Sequence, residues 1–121
     1  MPSRFARGRV ALLGDAAHAM TPNLGQGGNQ GLEDAATLVA LLEPVAAGSP
    51  SATELAAALS RYDGLRRRRT ASIARSSRLM GVVGQLAGPG AAVRDALLAA
   101  LPDSLAAGGS GSLTSWRPPE R

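Results

Sequence analysis

Gly14-Asp15-Ala16-Ala17-His18-Ala19-Met20-Thr21-Pro22-Asn23-Leu24-Gly25-Gln26-Gly27-Gly28-Asn29 is the most specific stretch of this chain. The apolar run Val10-Ala11-Leu12-Leu13 feeds into it, a proline-bearing loop follows, and a glycine-rich turn opens a helical pattern near Asn29. A strand, a polar switch and a helix N-terminus are thereby brought close together. Such an arrangement offers backbone N–H groups and the positive end of a helix dipole to an anion or cofactor.

Each residue type in the stretch has a local and a ligand-binding reading. Asp15, directly after the strand, can accept a hydrogen bond from a ribose or sugar-alcohol hydroxyl, or it can cap a local turn through nearby backbone N–H groups. The run Gly25-Gln26-Gly27-Gly28-Asn29 can bring N–H groups up to a negatively polarised atom, or it can be a surface turn before a helix. It is not a P-loop, because the Lys-Ser/Thr ending is absent, and it lacks the Gly-x-Gly-x-x-Gly context of a dinucleotide site. His18 is the only histidine. Asp15 and His18 alone do not make a metal site, so the expected role of His18 is to order the loop by hydrogen bonding. Pro22 fixes the loop backbone. Without a Gly-x-Ser-x-Gly elbow, a serine hydrolase has no support.

Outward from this stretch the chain reads as mostly helical. Residues 1–9 are polar and basic, Gly8-Arg9 suggests a turn, and the strand expected at Val10 to Leu13 is continuously apolar, as when both faces are covered. A lone strand leaves its backbone groups unpaired, so partner strands are expected outside this sequence. After Gly28-Asn29, the residues Leu32, Ala35, Ala36, Val39 and Leu42 recur at helical spacing and predict one buried stripe, with Glu33 and Asp34 suiting the first turns and Pro44 stopping the helix. Ser51 and Glu54 have capping-box spacing. They predict a second long helix carrying Leu55, Leu59, Tyr62, Leu65, Arg69, Ile73 and Met80, interrupted only by Gly64, and the two helices are expected to pair antiparallel. A short helix is expected over Ala92 to Leu101, then a Gly-Ser linker at residues 108–112 and a tail at Trp116-Arg117-Pro118-Pro119 without regular structure.

Composition narrows the possibilities. With 121 residues, one Trp, one Tyr and one Phe, the chain has little side-chain volume for a core, which suggests part of a larger fold. Absence of cysteine excludes disulfides and thiolate metal sites. No apolar run approaches the roughly 18 residues of a membrane span, so no membrane association is expected and the cytoplasm is the expected location. The net charge is +4, with four consecutive arginines at Arg66 to Arg69. Without neighbouring aromatics to stack bases, this cluster reads as a solvated helix face, or as a surface docking an acidic part of another domain, and not as a nucleic-acid site.

The run from Gly14 through Asn29 and on through Gln30-Gly31-Leu32-Glu33-Asp34-Ala35 resembles the second FAD-binding motif of the class A flavoprotein aromatic hydroxylases, the para-hydroxybenzoate hydroxylase-like family. The resemblance is strong from Arg9 to about Leu42 and looser from Tyr62 to Gly81. It implies that Asp15 holds a ribityl hydroxyl of FAD with Gly14 allowing close approach, that Pro22 sits beside the isoalloxazine, and that Leu24, Gly25, Gln26, Gly27, Gly28 and Asn29 line the pyrimidine side of the flavin. Backbone N–H groups and the helix end would there stabilise negative charge on the reduced ring. The family uses NAD(P)H to reduce the flavin and molecular oxygen to hydroxylate an aromatic or polyketide-like substrate. The cofactor carries that chemistry, so no catalytic acid or base and no metal is implied here.

This sequence departs from the family pattern by lacking its N-terminal Gly-x-Gly-x-x-Gly fingerprint, its middle Asp-Gly motif and its substrate sheet, and Gly31 stands where alanine is usual. The expected fold is therefore an α/β fragment: one FAD-domain strand, two long helices and a short helical C-terminal region. Its expected organisation is a C-terminal portion of a split FAD-binding domain over residues 1–90, a helical extension over 91–107 and a flexible tail over 108–121. The partners implied are the missing N-terminal FAD and substrate domains, and the isolated chain is expected to bind FAD poorly and to be inactive. A non-enzymatic helical interaction module with a residual flavin motif is the alternative.

Overall fold

The computed structural model describes residues 1–102 and 115–119. A small hairpin of β1 (Ala6–Arg7) and β2 (Val10–Ala11) opens the chain, with Ala6 paired to Ala11 and Arg7 to Val10 in antiparallel register. A one-turn helix α1 (Asp15–His18) and a 3₁₀ turn (Pro22–Leu24) follow. Then come two long helices, α2 (Gly27–Ala46) and α3 (Ala52–Gly84), and a shorter one, α4 (Pro89–Ala99).

The strand expectation needs correcting. Leu12 and Leu13 lie beyond β2, and the strand has a partner within the chain, formed by residues of the polar, basic segment 1–9. Phe5 is what holds them: its side chain is buried, its N–H donates to Asp63 Oδ1 at 2.5 Å, and its carbonyl accepts from the Leu12 N–H at 2.7 Å. Val10 and Leu13 are exposed in this chain rather than covered on both faces.

Ser51 caps α3 as its spacing predicts. Its hydroxyl accepts from the Glu54 N–H, and the Glu54 carboxylate accepts from the Ser51 N–H at 2.9 Å. These bonds from the Ser51 backbone and hydroxyl lower the Glu54 pKa. Helix α3 runs 33 residues without a break at Gly64. Pro44 does not stop α2 where it stands; the helix continues to Ala46, since proline's missing N–H weakens the last turn without forbidding two further residues. Helix α4 is tied back by Arg94, whose Nη1 donates to the carbonyls of Val83 and Gly84 at 3.2 and 3.1 Å, at the negative end of α3.

Helices α2 and α3 pair antiparallel: Gln30 and Glu33 meet Arg66, while Leu41 and Val45 share a cleft with Ala57 and Ala58. The face of α2 turned to α3 is not the apolar stripe. Leu32 and Val39 are 71% and 62% exposed, whereas Gln30, Glu33, Asp34, Thr37 and Leu41 are buried. On α3 the buried residues are Leu59, Tyr62, Arg66, Thr70, Ile73, Ala74 and Ser77, with Leu65 and Met80 exposed. A compact apolar cluster of Phe5, Ala17, Leu41 and Tyr62 joins the hairpin, α1 and both helices. Among the described residues no helix is long and apolar enough to cross a membrane.

Gly31 faces the loop from within α2. An added Cβ would meet the Gly14 Cα at 3.6 Å, an ordinary contact. Gly31→Ala is therefore expected to stabilise the chain by about 0.5–1 kcal/mol through helix propensity. Urea denaturation checks this, and a lowered midpoint would mean that α2 and the Gly14 backbone have no room for the methyl group.

Candidate functional site

The site is built where the chain leaves β2, crosses α1 and the 3₁₀ turn, and enters α2. Gly14 precedes α1 with φ +58° and ψ −143°, a conformation open to glycine but strained for any L side chain. Asp15 is the first residue of α1 and is exposed. Pro22 and Leu24 form the ends of the 3₁₀ turn, and Gly25 closes it by donating its N–H to the Pro22 carbonyl at 2.8 Å. That amide is thus engaged within the turn.

The remaining donors lie one step further on. Gln26 stands at the N-cap of α2 with no side-chain cap, and the first helical bond runs from the Gln30 N–H to the Gln26 carbonyl. Helix geometry therefore leaves the N–H groups of Gly27, Gly28 and Asn29 without an intrahelical acceptor. No acidic side chain occupies the first turn, so the positive helix end is uncompensated there. Gly28 is exposed, with open space where a side chain would stand, and Met20 packs beside Gly27. The Gln26 side-chain oxygen is buried with no hydrogen-bond partner. Gly14 backs onto Gly31, which puts the Asp15 end of the loop alongside the first two turns of α2.

Beneath this surface lies a buried network that composition and spacing did not reveal. Arg66, 1% exposed, donates from Nε to Asp34 Oδ1 at 2.6 Å, from Nη1 to Glu33 Oε2 at 2.6 Å, and from Nη2 to the Gln30 side-chain and backbone oxygens at 2.8 and 3.1 Å. Arg69 grips Glu33 with two bonds, at 2.6 and 2.7 Å. His18 Nε2 is 2.5 Å from Asp34 Oδ2, and because a carboxylate only accepts, Nε2 carries the proton. His18 does order the loop, but its carboxylate partner is Asp34. Glu33 and Asp34 accordingly face α3, not the helix end, and Arg66 and Arg69 are turned inward instead of forming a solvated face. Arg67 and Arg68 alone of the four arginines are exposed.

Two carboxylates and two guanidiniums balance one another, which is what makes such burial tolerable. Burial pushes the Glu33 carboxyl up, but hydrogen bonds from Arg69 and Arg66 and their charges outweigh it, so its pKa is lowered. A lowered folded pKa contributes stability that is present above the ordinary glutamate range and is lost as pH falls through the folded value. Thermal unfolding followed by circular dichroism should thus show a midpoint falling on acidification, with a shallower fall in Arg69→Gln. Equal slopes in the two proteins would contradict the assignment.

A second tie secures the proline turn. The Ser77 hydroxyl donates to the Thr21 carbonyl at 2.6 Å and accepts from the Thr21 hydroxyl at 2.9 Å, while Asn23 Nδ2 donates to the Ser77 carbonyl at 3.0 Å. Gly81 makes room for this: a Cβ there would run into the Asn23 amide. Residues 103–107 of the expected helical extension and residues 108–114, 120 and 121 of the expected tail lie outside the described residues. Ser115 to Pro119 have no regular structure, as expected, and Trp116 lies over the Arg66 guanidinium, 5.8 Å from its ring centroid.

A loop with an exposed carboxylate, packed against a helix whose start is uncapped, is the kind of surface that cofactor-binding domains use. A family model described as "FAD binding domain" matches residues 1–77, and the chain belongs to this family. It is similar to the aurachin C monooxygenase/isomerase of Stigmatella aurantiaca, with 45% identity over 82 residues that cover 68% of this chain and 20% of the relative. The 3-amino-4-hydroxybenzoate 2-monooxygenase of Streptomyces cremeus is 47% identical over 78 residues, covering 64% and 18%. The salicylate hydroxylase of Pseudomonas putida is 43% identical over 94 residues, covering 78% and 21%. The chain thus spans about a fifth of the length of these curated relatives.

Proposed function

We propose that this chain supplies the ribityl and ring-edge contacts of an FAD site in an NAD(P)H-dependent monooxygenase acting on an aromatic or polyketide-like substrate, and that segments like those its relatives carry outside the matched fifth complete the site. The observation that carries this reading is the uncapped start of α2, with the amides of Gly27, Gly28 and Asn29 unclaimed on the helix whose Gly31 backs the Gly14–Asp15 turn. These groups fit the cofactor's chemistry. A carboxylate accepts from a sugar-alcohol hydroxyl, helix-start amides donate to ring carbonyls, and the unpartnered Gln26 oxygen is a buried acceptor suited to a ring N–H. FAD, when bound, supplies the electron transfer and oxygen activation. Leu24 and Pro22 shape the wall of the turn, Gly14 keeps the backbone close, and the helix dipole favours negative charge on the bound ring. Membership of the family and the aromatic substrates in two relatives' names support the reading.

The test is a titration of the purified chain with FAD, followed by flavin fluorescence and by NADPH-dependent oxygen uptake. Weak, saturable binding that Asp15→Ala diminishes, without oxygen uptake, is expected. Binding indifferent to Asp15, or turnover by the chain alone, would overturn the reading.

A further inference from the structure

The Asp15 carboxylate is exposed and makes no hydrogen bond or ion pair with another described residue, so nothing on its own side chain fixes its position. Its backbone is fixed by a side chain of α2. Asp34 is fully buried, and its Oδ2 accepts from the Gly14 N–H at 2.8 Å as well as from His18 Nε2 at 2.5 Å. One carboxylate oxygen therefore holds the residues on both sides of Asp15: the glycine before it and the histidine that ends its helical turn. The other oxygen, Oδ1, is held by Arg66 Nε at 2.6 Å, and Arg66 is anchored on α3 among four acceptors from α2. Glycine reaches φ +58° with ψ −143° without strain, as the mirror image of an extended conformation, so it is one of several that a free chain would sample and the bond to Asp34 selects it.

From this geometry we propose that Asp34 is a positioning residue for cofactor binding: oriented by Arg66, it sets the Gly14 backbone and thereby the direction of the Asp15 carboxylate before any ligand arrives. The inference rests on Asp15 being a cofactor contact. It goes further by assigning the loop's pre-formed shape to a residue that touches no ligand. Preorganisation of this kind raises affinity by removing the cost of ordering the loop on binding.

Two measurements test it. In the wild-type chain, amide hydrogen exchange should be at least about 100-fold slower at Gly14 than at Asp15, since only the former donates to a buried carboxylate. Exchange of Gly14 as fast as Asp15 would overturn the proposal whether or not FAD binds. The second is a double-mutant cycle read by FAD titration. Asp34→Asn is expected to weaken FAD binding about tenfold in the Asp15 background and less than about twofold in Asp15→Ala, because a misplaced carboxylate matters only when it is there. Equal weakening in both backgrounds would mean general loosening and contradict a positioning role. Should FAD bind neither background, the proposed function fails, and the Gly14 exchange alone decides whether Asp34 holds the loop.

Discussion

Arg66→Met should destabilise the chain by about 3–5 kcal/mol, the cost of stranding buried charge by removing its partner. Methionine has a similar reach and would fill much of the same space, so the loss comes from the unpaired acceptors rather than from a cavity. Without the guanidinium, Asp34 keeps only Gly14 and His18, Glu33 keeps Arg69 and Gln30, and the Gln30 carbonyl loses its side-chain donor. Lysine would not rescue this, since a single ammonium cannot reach the acceptors that a planar fork engages together. Arg67→Met is the matched control. Arg67 is 48% exposed and makes one loose ion pair, 3.5 Å from Asp63, so its loss should change stability by no more than about 0.5 kcal/mol. Urea denaturation of the three proteins measures the difference, and similar costs for Arg66 and Arg67 would refute the buried network.

Tyr62→Ala should cost about 3–5 kcal/mol, the range for emptying a buried aromatic site. Its ring is fully buried against Phe5, Ala17 and Leu41, and in a chain with three aromatic residues few other side chains could fill the space. Tyr62→Phe isolates the hydroxyl, which donates to the Leu12 carbonyl at 2.8 Å; its removal leaves that part-buried acceptor without the bond and should cost about 0.5–1.5 kcal/mol. Burial, and next the nearby Asp34 charge, push the Tyr62 pKa well up, so the phenol remains a donor at any ordinary pH. Because Leu12 lies two residues before Gly14, the Phe variant should also raise amide exchange at the loop more than in α4. Equal stability of wild type and Tyr62→Phe would contradict the bond.

Much of this architecture was legible in the sequence. Glycines, proline and the Asp15 position marked the turn and the start of α2, and the Ser51 to Glu54 spacing marked α3, because caps and turns are written in a few local residues with strong stereochemical demands. The hairpin was not legible, because strands of two residues are too short to display alternation, and a single buried Phe5 among basic residues carries no pattern. The helix interface misled in a more instructive way. Apolar periodicity assigned Leu32 and Val39 to the buried face, yet α2 meets α3 through Gln30, Glu33, Asp34 and Thr37, which share the same helical spacing one step round. A matching signal was present, namely acidic residues on one helix in antiparallel register with Arg66 and Arg69 on the next. Counting charges as a solvated cluster concealed it. The Gly25 to Asn29 run marked where α2 starts, whereas Asp34, Ser77 and Gly81 act at a distance in sequence that only the fold closes.

We propose that the loop after β2 and the start of α2 together form one face of a flavin site. Amide chemical-shift mapping of the chain titrated with FAD tests it most directly. Gly27, Gly28, Asn29 and Asp15 should shift together along a single saturation curve. Shifts confined to α4 or to the exposed Arg67 and Arg68, or no shift at the four named amides, would contradict it.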